Sequence, residues 1–561
     1  MNNKTAGLAA ARSRGPSKRT GPSGPGIALS LGVDVGGTNT DAVVLDADNA
    51  IVAATKQPTS EDVTSGIRSA VRTVLGAIGE RRSDVSHVML GTTHATNAIV
   101  RRRDLGRVAV IRLGAPASTG YPPLTSWPAD LRETVVAGSA LLPGGRMVDG
   151  TPISPLDHNG VLRFLKGLDR EVDAVAVCGI FSPSFPDQEN EVEGLVRSVL
   201  GDSIPVSLSH DIGAVGLLER ENATVLNAAL YGVAREVTSS LLDVVAEEGL
   251  GAASVYFAQN DGTLMAIEFA ERYPVLTIGS GPANSIRGAA LLSDVENAIV
   301  IDVGGTTSDL GVVSKGFPRE SSMPREIGGV RTNFRMPDVL SIGVGGGTRI
   351  DPVSGSLGPA SVGHRLTSDA LAFGGQVATL TDAAIVAGQV DGELGQRRLS
   401  AEPRVADALR FGLDRAHQWV AESVERLSNG KLDTPIVVVG GGAFLVPDDL
   451  PGAGAVLRPE HGDVANAVGA AMSLVGGRSQ EISTYDDREE AVARASRAAI
   501  DRAIEAGADP LQVEVYDILE TPVSYSAQQT VRISAKAAGP LSTLATRPCH
   551  KSLDQSTLSI P

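Results

Sequence analysis

Apolar residues in this chain come in short runs broken by glycine turns, and the runs set the predicted elements. Ile27-Ala28-Leu29-Ser30-Leu31 leads into Gly36-Gly37, and Ala42-Val43-Val44-Leu45 leads out. The arrangement returns later, with Ala298-Ile299-Val300-Ile301 before Gly304-Gly305 and Leu310-Gly311-Val312-Val313 after. Each reads as strand, tight turn, strand. Further runs predict strands at 88–90, 108–111, 174–177 and 205–208, with helices near 93–103 and 187–200 between them. Such alternation predicts an α/β protein with a substantially parallel sheet. Residues 114–155, rich in Gly and Pro, read as an irregular excursion.

A long helical stretch over 214–248 bridges to a second half that opens with a strand at 254–257. Pro282 is placed for the first turn of a helix. Ile436-Val437-Val438-Val439 is a buried strand running into Gly440-Gly441-Gly442. A helix at 463–474, a charged helix at 487–506 and strands near 513–519 and 531–536 follow, with a loose tail from 541.

A chain of 561 residues exceeds what one core can organise, so two or more domains are expected. Aromatics are only 3%, so those cores are built from Ala, Val, Leu and Ile. The 49 basic and 65 acidic residues give −16, which argues against nucleic-acid or anionic-membrane partners. Two cysteines, Cys178 and Cys549, make neither a metal site nor a disulfide framework and favour a reducing cytoplasm. Residues 1–26 are basic, with Gly, Pro and Ser, and read as a disordered tail.

The two glycine turns are near copies. Asp34-Val35-Gly36-Gly37-Thr38-Asn39-Thr40-Asp41 and Asp302-Val303-Gly304-Gly305-Thr306-Thr307-Ser308-Asp309 share six of eight positions. Paired glycines remove side chains, so a phosphate chain can approach the backbone N–H groups. Thr38 and Thr306 add hydroxyls, and Asp34 and Asp302 end their strands where Mg²⁺ would be held. Asp309 is placed to orient water or metal. One Gly-Gly turn is an ordinary hairpin; two copies in two halves point to a nucleotide clamped between duplicated domains.

Two Asp-Val-Gly-Gly-Thr hairpins and a late Val-Gly-Gly-Gly turn resemble the layout of the actin, Hsp70 and sugar-kinase superfamily. Within it, the chain resembles the hydantoinase A / 5-oxoprolinase family, which includes the acetone carboxylase β subunit. Gly91-Thr92-Thr93-His94-Ala95-Thr96-Asn97-Ala98, Glu219-Arg220-Glu221-Asn222-Ala223-Thr224, Ser280-Gly281-Pro282-Ala283, Ile342-Gly343-Val344-Gly345-Gly346-Gly347 and Thr381-Asp382-Ala383 carry the likeness in order. Asn39 stands where the family usually has an aromatic, and Val362-Gly363-His364-Arg365 replaces its usual run after Ser361, both toward the substrate side.

The resemblance implies duplicated ribonuclease H-like lobes with an ATP cleft between them. It places an N-terminal lobe at 27–212, an ATPase lobe at 213–475 and a C-terminal α/β extension at 476–540. ATP and Mg²⁺ are the implied cofactors. Gly36, Gly37, Thr38, Gly304, Gly305 and Thr306 would hold phosphates, and Gly440, Gly441 and Gly442 adenosine. The implied activity opens a cyclic amide, such as a hydantoin or 5-oxoproline-like lactam, by phosphorylating its carbonyl oxygen. Thr93 and His94 join the aspartates as catalytic candidates; Thr92, Asn97, Gly345, Gly346 and Asp382 are substrate candidates, with Asp382 equally a helix cap. A B-type subunit and an oligomer are implied partners. The competing readings are a small-molecule kinase, a carboxylase subunit of the acetone carboxylase type and a nucleotide-switched regulator.

Overall fold

The computed structural model describes residues 28–542 apart from 38, 59–62, 169–170, 214–215, 322, 335, 391, 398, 400–401, 431–432, 452, 473 and 524–528. The expected tails and Thr38 therefore lie outside the described residues. Two large sheets carry the molecule. The first has nine strands in the order Glu514–Val523, Thr530–Gly539, Val475–Thr484, Leu264–Ala266, Ser254–Ala258, Val85–Thr92, Leu29–Val35, Asn39–Leu45 and Ile51–Pro58. The second has six strands, with Ser308–Ser314, Ala298–Val303 and Ile436–Val439 at its centre.

Both predicted hairpins are present, and each lobe repeats one arrangement. Leu29–Val35 pairs antiparallel with Asn39–Leu45 and parallel with Val85–Thr92. Ala298–Val303 pairs antiparallel with Ser308–Ser314 and parallel with Ile436–Val439. The registers agree too: Asp34 faces Asp41 across the first hairpin, and Asp302 faces Asp309 across the second. Flanked on both sides, these strands are apolar almost throughout, and Leu29, Leu31, Val33, Val300 and Ile301 are fully buried.

Two helices, Ser280–Ser293 and Ala465–Ala471, pack against each other and reach both hairpins. Their backbones nearly touch. A Cβ on Gly288 would sit 1.9 Å from Ala465 O, and one on Gly469 2.0 Å from Asn284 O. Only glycine permits that crossing, and the short helix Ala465–Ala471 in turn packs on strand Leu29–Val35.

Three differences from the expected layout stand out. The strand at 254–258, expected in the second lobe, belongs to the first sheet, as do both strands expected in the C-terminal extension, and Leu264–Ala266 and Val475–Thr484, which the sequence pattern does not mark, join the same sheet. The lobe boundary is thus crossed by pairing between residues far apart in sequence, such as Leu90 with Phe257. The excursion at 114–155 holds a helix, Ala129–Val135, and a strand, Val136–Pro143, that joins an inserted four-stranded parallel sheet with Val108–Ala115, Ala174–Gly179 and Val206–Leu208. The long helical stretch is two helices, Leu217–Ala229 and Tyr231–Glu247, meeting at Leu230.

Candidate nucleotide site

The two turns close in the same way. Gly36 N donates to Asn39 O at 2.9 Å, and Gly304 N donates to Thr307 O at 2.9 Å. Gly37 and Thr306 are exposed at the tips. Behind the tips, helix Ser280–Ser293 ties the hairpins together through two consecutive residues. Asn284 Nδ2 donates to Asp34 Oδ1 at 3.2 Å, and Ser285 Oγ donates to Asp302 Oδ2 at 2.6 Å. Asn466 Nδ2, from the neighbouring helix, reaches Asp34 Oδ2 at 3.4 Å.

Equivalent glycines admit the two carboxylates. A Cβ on Gly91 would lie 2.1 Å from Asp34 Oδ1, and one on Gly440 would lie 2.4 Å from Asp302 Oδ1. Gly440 also has φ +88°, a left-handed conformation that favours glycine. Each glycine ends the strand lying parallel to its aspartate's strand.

Lys56 carries no local mark in the sequence, yet it supplies positive charge to this group. Its Nζ donates to Asp41 at 2.8 Å and 3.0 Å and to Asp463 O at 2.8 Å. Asp309 accepts from Ser341 Oγ at 2.5 Å. All four carboxylates are held above the ordinary range. Burial pushes Asp34 up to about 6, against hydrogen bonds from Asn284 and Asn466 and the charge of Lys56. Burial pushes Asp41 up to about 7, against Lys56. Asp302 and Asp309 are raised by burial, opposed by their serine partners. The negative charge of Asp302 reaches Asp34, Asp41 and Asp309. The hairpins thus form one electrostatic unit.

A divalent cation fits this donor set. The carboxylates are destabilised as anions for want of positive charge, and Asn284 Oδ1 beside Asp34 is buried without a hydrogen-bond partner. Among the described residues no group of three His, Cys, Asp or Glu forms a metal cage. Mg²⁺ is usually held by one or two carboxylates together with phosphates and water. Asp34 and Asp302 are the residues that would hold it.

Several expected site residues have other work. His94 Nδ1 lies 2.5 Å from Thr92 Oγ1, and the ring lines a small apolar cavity with Leu230, Val233, Val237 and Phe257. Burial holds its pKa below the ordinary imidazole value. The hydroxyl of Thr92 also accepts from His94 N, so the two expected site residues are bonded to each other. Thr93 and Asn97 stay beside the first hairpin: Thr93 Oγ1 donates to Val35 O at 3.2 Å and accepts from Asn97 Nδ2 at 3.3 Å.

Gly345 and Gly346 brace the second hairpin. Gly346 N donates to Gly304 O at 3.1 Å, and a Cβ on Gly345 would lie 2.5 Å from the backbone of Thr306. Asp382 is fully buried in a capping box, accepting from Thr379 N, Thr379 Oγ1, Leu371 N and Ala372 N. The N-cap of this helix is Thr379, and Asp382 is its partner one turn in, with its carboxylate engaged by backbone N–H groups and the Thr379 hydroxyl. In the third cluster, Gly442 N donates to Val303 O at 2.8 Å, whereas Gly441 is exposed and near Lys56.

The sequence and fold have known relatives. The profile of the hydantoinase/oxoprolinase N-terminal region matches residues 30–200, and that of hydantoinase/oxoprolinase matches residues 220–409. The chain is 28% identical over 431 residues to the caprolactamase subunit alpha of Pseudomonas jessenii, covering 71% of this chain and 60% of that one. It is 25% identical over 447 residues to the acetone carboxylase beta subunit of Xanthobacter autotrophicus, covering 70% and 60%. The chain thus spans about three-fifths of the length of these curated relatives. Among solved structures, an ATP-dependent caprolactamase from Pseudomonas jessenii superposes with a TM-score of 0.72 at 20% identity, covering 92% of this chain and 89% of that one. Nucleotide-free acetone carboxylase gives 0.62 at 18% identity, covering 92% and 88%. The duplicated α/β lobes are shared with both.

Proposed function

The chain belongs to the hydantoinase/oxoprolinase family, and we propose that it is the nucleotide-binding subunit of an ATP-dependent enzyme that activates a cyclic amide for ring opening. The observation that carries this reading is the tie of Asp34 and Asp302 to consecutive residues of one helix, which holds two phosphate-type loops at one place. The relative named caprolactamase supports a lactam-type substrate.

An amide carbonyl is a poor electrophile. Moving a phosphoryl group from ATP to its oxygen gives an activated imidate; water then attacks the carbon, the C–N bond breaks with a proton passing to nitrogen, and a second water releases phosphate from the resulting acyl phosphate. Positioning and charge neutralisation are the main demands of the first step. Backbone amides at Gly37 and Gly305 cradle the phosphates, with the hydroxyl of Thr306 beside them, while the amides of Gly36 and Gly304 close the turns. Mg²⁺, held by Asp34 and Asp302, would neutralise phosphate charge. Lys56 offsets the remaining carboxylates, and Gly441 offers an open backbone surface near it for the nucleoside. Asn97, held by Thr93 beside Val35, presents its second amide N–H to the substrate carbonyl and its amide oxygen to the ring N–H.

Phosphate release from ATP over a panel of hydantoins, lactams and ketones, with and without a B-type subunit, tests the reading. Stimulation by a cyclic amide with ring-opened product supports it. Stimulation by a ketone with bicarbonate alone would favour the carboxylase reading, for which the acetone carboxylase likeness speaks. ATP left intact under every condition would remove the nucleotide assignment.

A further inference from the structure

A cavity of about 330 Å³ lies where the short helix Ser209–Ile212, the nine-stranded sheet and helix Arg488–Glu505 meet. None of its walls comes from the hairpins. Its size is within the range of small-molecule sites, and a fully buried carboxylate organises one wall. Glu189 is completely buried and accepts from Gly179 N at 2.7 Å, Ser209 Oγ at 2.5 Å and His210 N at 3.1 Å. His210 Nδ1 lies 2.6 Å from Glu189 Oε2, so the carboxylate fixes the proton on Nδ1, and Nε2 lies on the far side of the ring, 3.7 Å from Asp211 Oδ1. Burial pulls the imidazole pKa down, but the bond and charge of Glu189 outweigh it and hold His210 above its ordinary value. Burial pushes Glu189 up, and the bond and charge of His210 outweigh that and hold it below.

The lining carries both signs of charge. Asp211 Oδ2 is already engaged by Tyr273 OH at 3.0 Å and Arg272 at 3.3 Å. Arg478 and Gln480 line the cavity from the sheet; Arg478 Nη2 lies 3.7 Å from Glu320 Oε2, and Gln480 Nε2 is buried without a hydrogen-bond partner. Arg502 donates to Arg478 O at 2.8 Å, and Glu505, on the same helix as Arg502, is an exposed carboxylate of the lining. The lining thus combines donors at His210, Arg478 and Gln480 with a carboxylate at Glu505.

We infer that this cavity binds a small amino-acid zwitterion, its carboxylate on His210, Arg478 and Gln480 and its ammonium on Glu505. Hydrolysis of a cyclic amide C–N bond yields this class of molecule, and in that respect the assignment rests on the ring-opening reading. The cavity adjoins the nucleotide site through Asn260, a lining residue whose Oδ1 accepts from Gly279 N at 2.6 Å, at the start of the helix that holds Asp34 and Asp302.

Calorimetry on the full chain with 4-aminobutanoate and 6-aminohexanoate tests the site. At least one should bind at millimolar concentration or tighter, with Gln480→Leu and Arg478→Met each weakening it tenfold or more. A non-hydrolysable ATP analogue should bind both variants as it binds the parent. Arg478 is partly exposed, so its replacement remains informative even if Gln480→Leu fails to fold. No binding of either compound, binding unchanged by the substitutions, or competition with the ATP analogue would each overturn the assignment. Amino-acid binding with these mutant effects, together with ATP hydrolysis indifferent to every cyclic amide, would keep the site and remove the ring-opening reading.

Discussion

Asn284 and Ser285 are neighbours on one helix and hold the carboxylates of two different lobes: Asn284 donates to Asp34 at 3.2 Å and Ser285 to Asp302 at 2.6 Å. A residue pair of this kind makes the spacing of the two hairpins a property of a single rigid element. A shift of the helix moves both carboxylates together, so the phosphate-facing groups keep their mutual placement.

Asp34→Asn and Asp302→Asn should each lower Mg²⁺-dependent ATP turnover by about a hundredfold or more, the usual cost of losing a preorganised transition-state contact. Asparagine keeps the size of the side chain and an oxygen to accept the bond from Asn284 or Ser285. Circular dichroism should therefore match the parent. Parental turnover in either variant would show its carboxylate to be structural.

The raised carboxylates make stability depend on pH in a defined direction. In the unfolded chain an aspartate releases its proton near pH 3.8, whereas folded Asp34 holds it to about 6 and Asp41 to about 7. Between those values the folded state binds more protons, so stability falls as pH rises from about 4 through 7. The melting temperature without Mg²⁺ should decline across that window. Asp34→Asn should flatten the decline and leave the variant more stable than the parent at pH 8, by roughly 1–3 kcal/mol for a shift of this size. Mg²⁺ with nucleotide should raise the parent's melting temperature more at pH 8 than at pH 5. A parent that gains stability across the window would contradict the electrostatic account.

The hairpins were legible because each is a local signal: an apolar run, two glycines and an aspartate at fixed spacing. What surrounds them was not local. Lys56 meets Asp41 from a neighbouring strand that carries no motif, and it meets the backbone of Asp463 from the opposite end of the chain. Asn466 reaches Asp34 across a comparable gap. Asn284 and Ser285 stand one helical turn beyond the marked Ser280-Gly281-Pro282-Ala283, and only the helix phase would have pointed to them. The longest helix, Pro403–Ser428, lies outside the expectations although Pro403 begins it, Asn429 ends it in a left-handed conformation, and Leu409, Leu413, Ala416 and Val420 repeat at helical spacing. Strand order at the C-terminal end depended on pairing alone, because Thr530–Gly539 reads the same in a separate extension as in a shared sheet.

Lys56→Met should lower ATP turnover more than tenfold and shift its acid limb to higher pH. Removing the ammonium leaves Asp41 buried without its ion partner, and Lys56 also lowers the pKa values of Asp34 and Asp302. All three carboxylates then hold protons to higher pH. The dependence of kcat/KM on pH reports groups of the free enzyme, so the limb is read there. An unchanged limb would show that these carboxylates do not govern activity.

Glycine substitutions separate what the fold requires from what the nucleotide requires. A Cβ on Gly91 would sit 2.1 Å from Asp34 Oδ1 and 2.4 Å from Asn284 Nδ2, so Gly91→Ala should displace that pair and lower both stability and turnover. Gly37 differs: a Cβ there meets nothing within 4 Å, and the residue is exposed at the hairpin tip. Gly37→Ala should therefore melt within about 1 °C of the parent, since surface changes away from such contacts stay within about 0.5 kcal/mol. If phosphates approach the bare backbone of this turn, the added methyl occupies their space, and affinity for an ATP analogue should fall tenfold or more. Equal stability with weakened nucleotide binding places the phosphates at the first hairpin. Equal stability with parental affinity would show that the first hairpin tip leaves the nucleotide untouched, and the clamp would lose one of its two jaws.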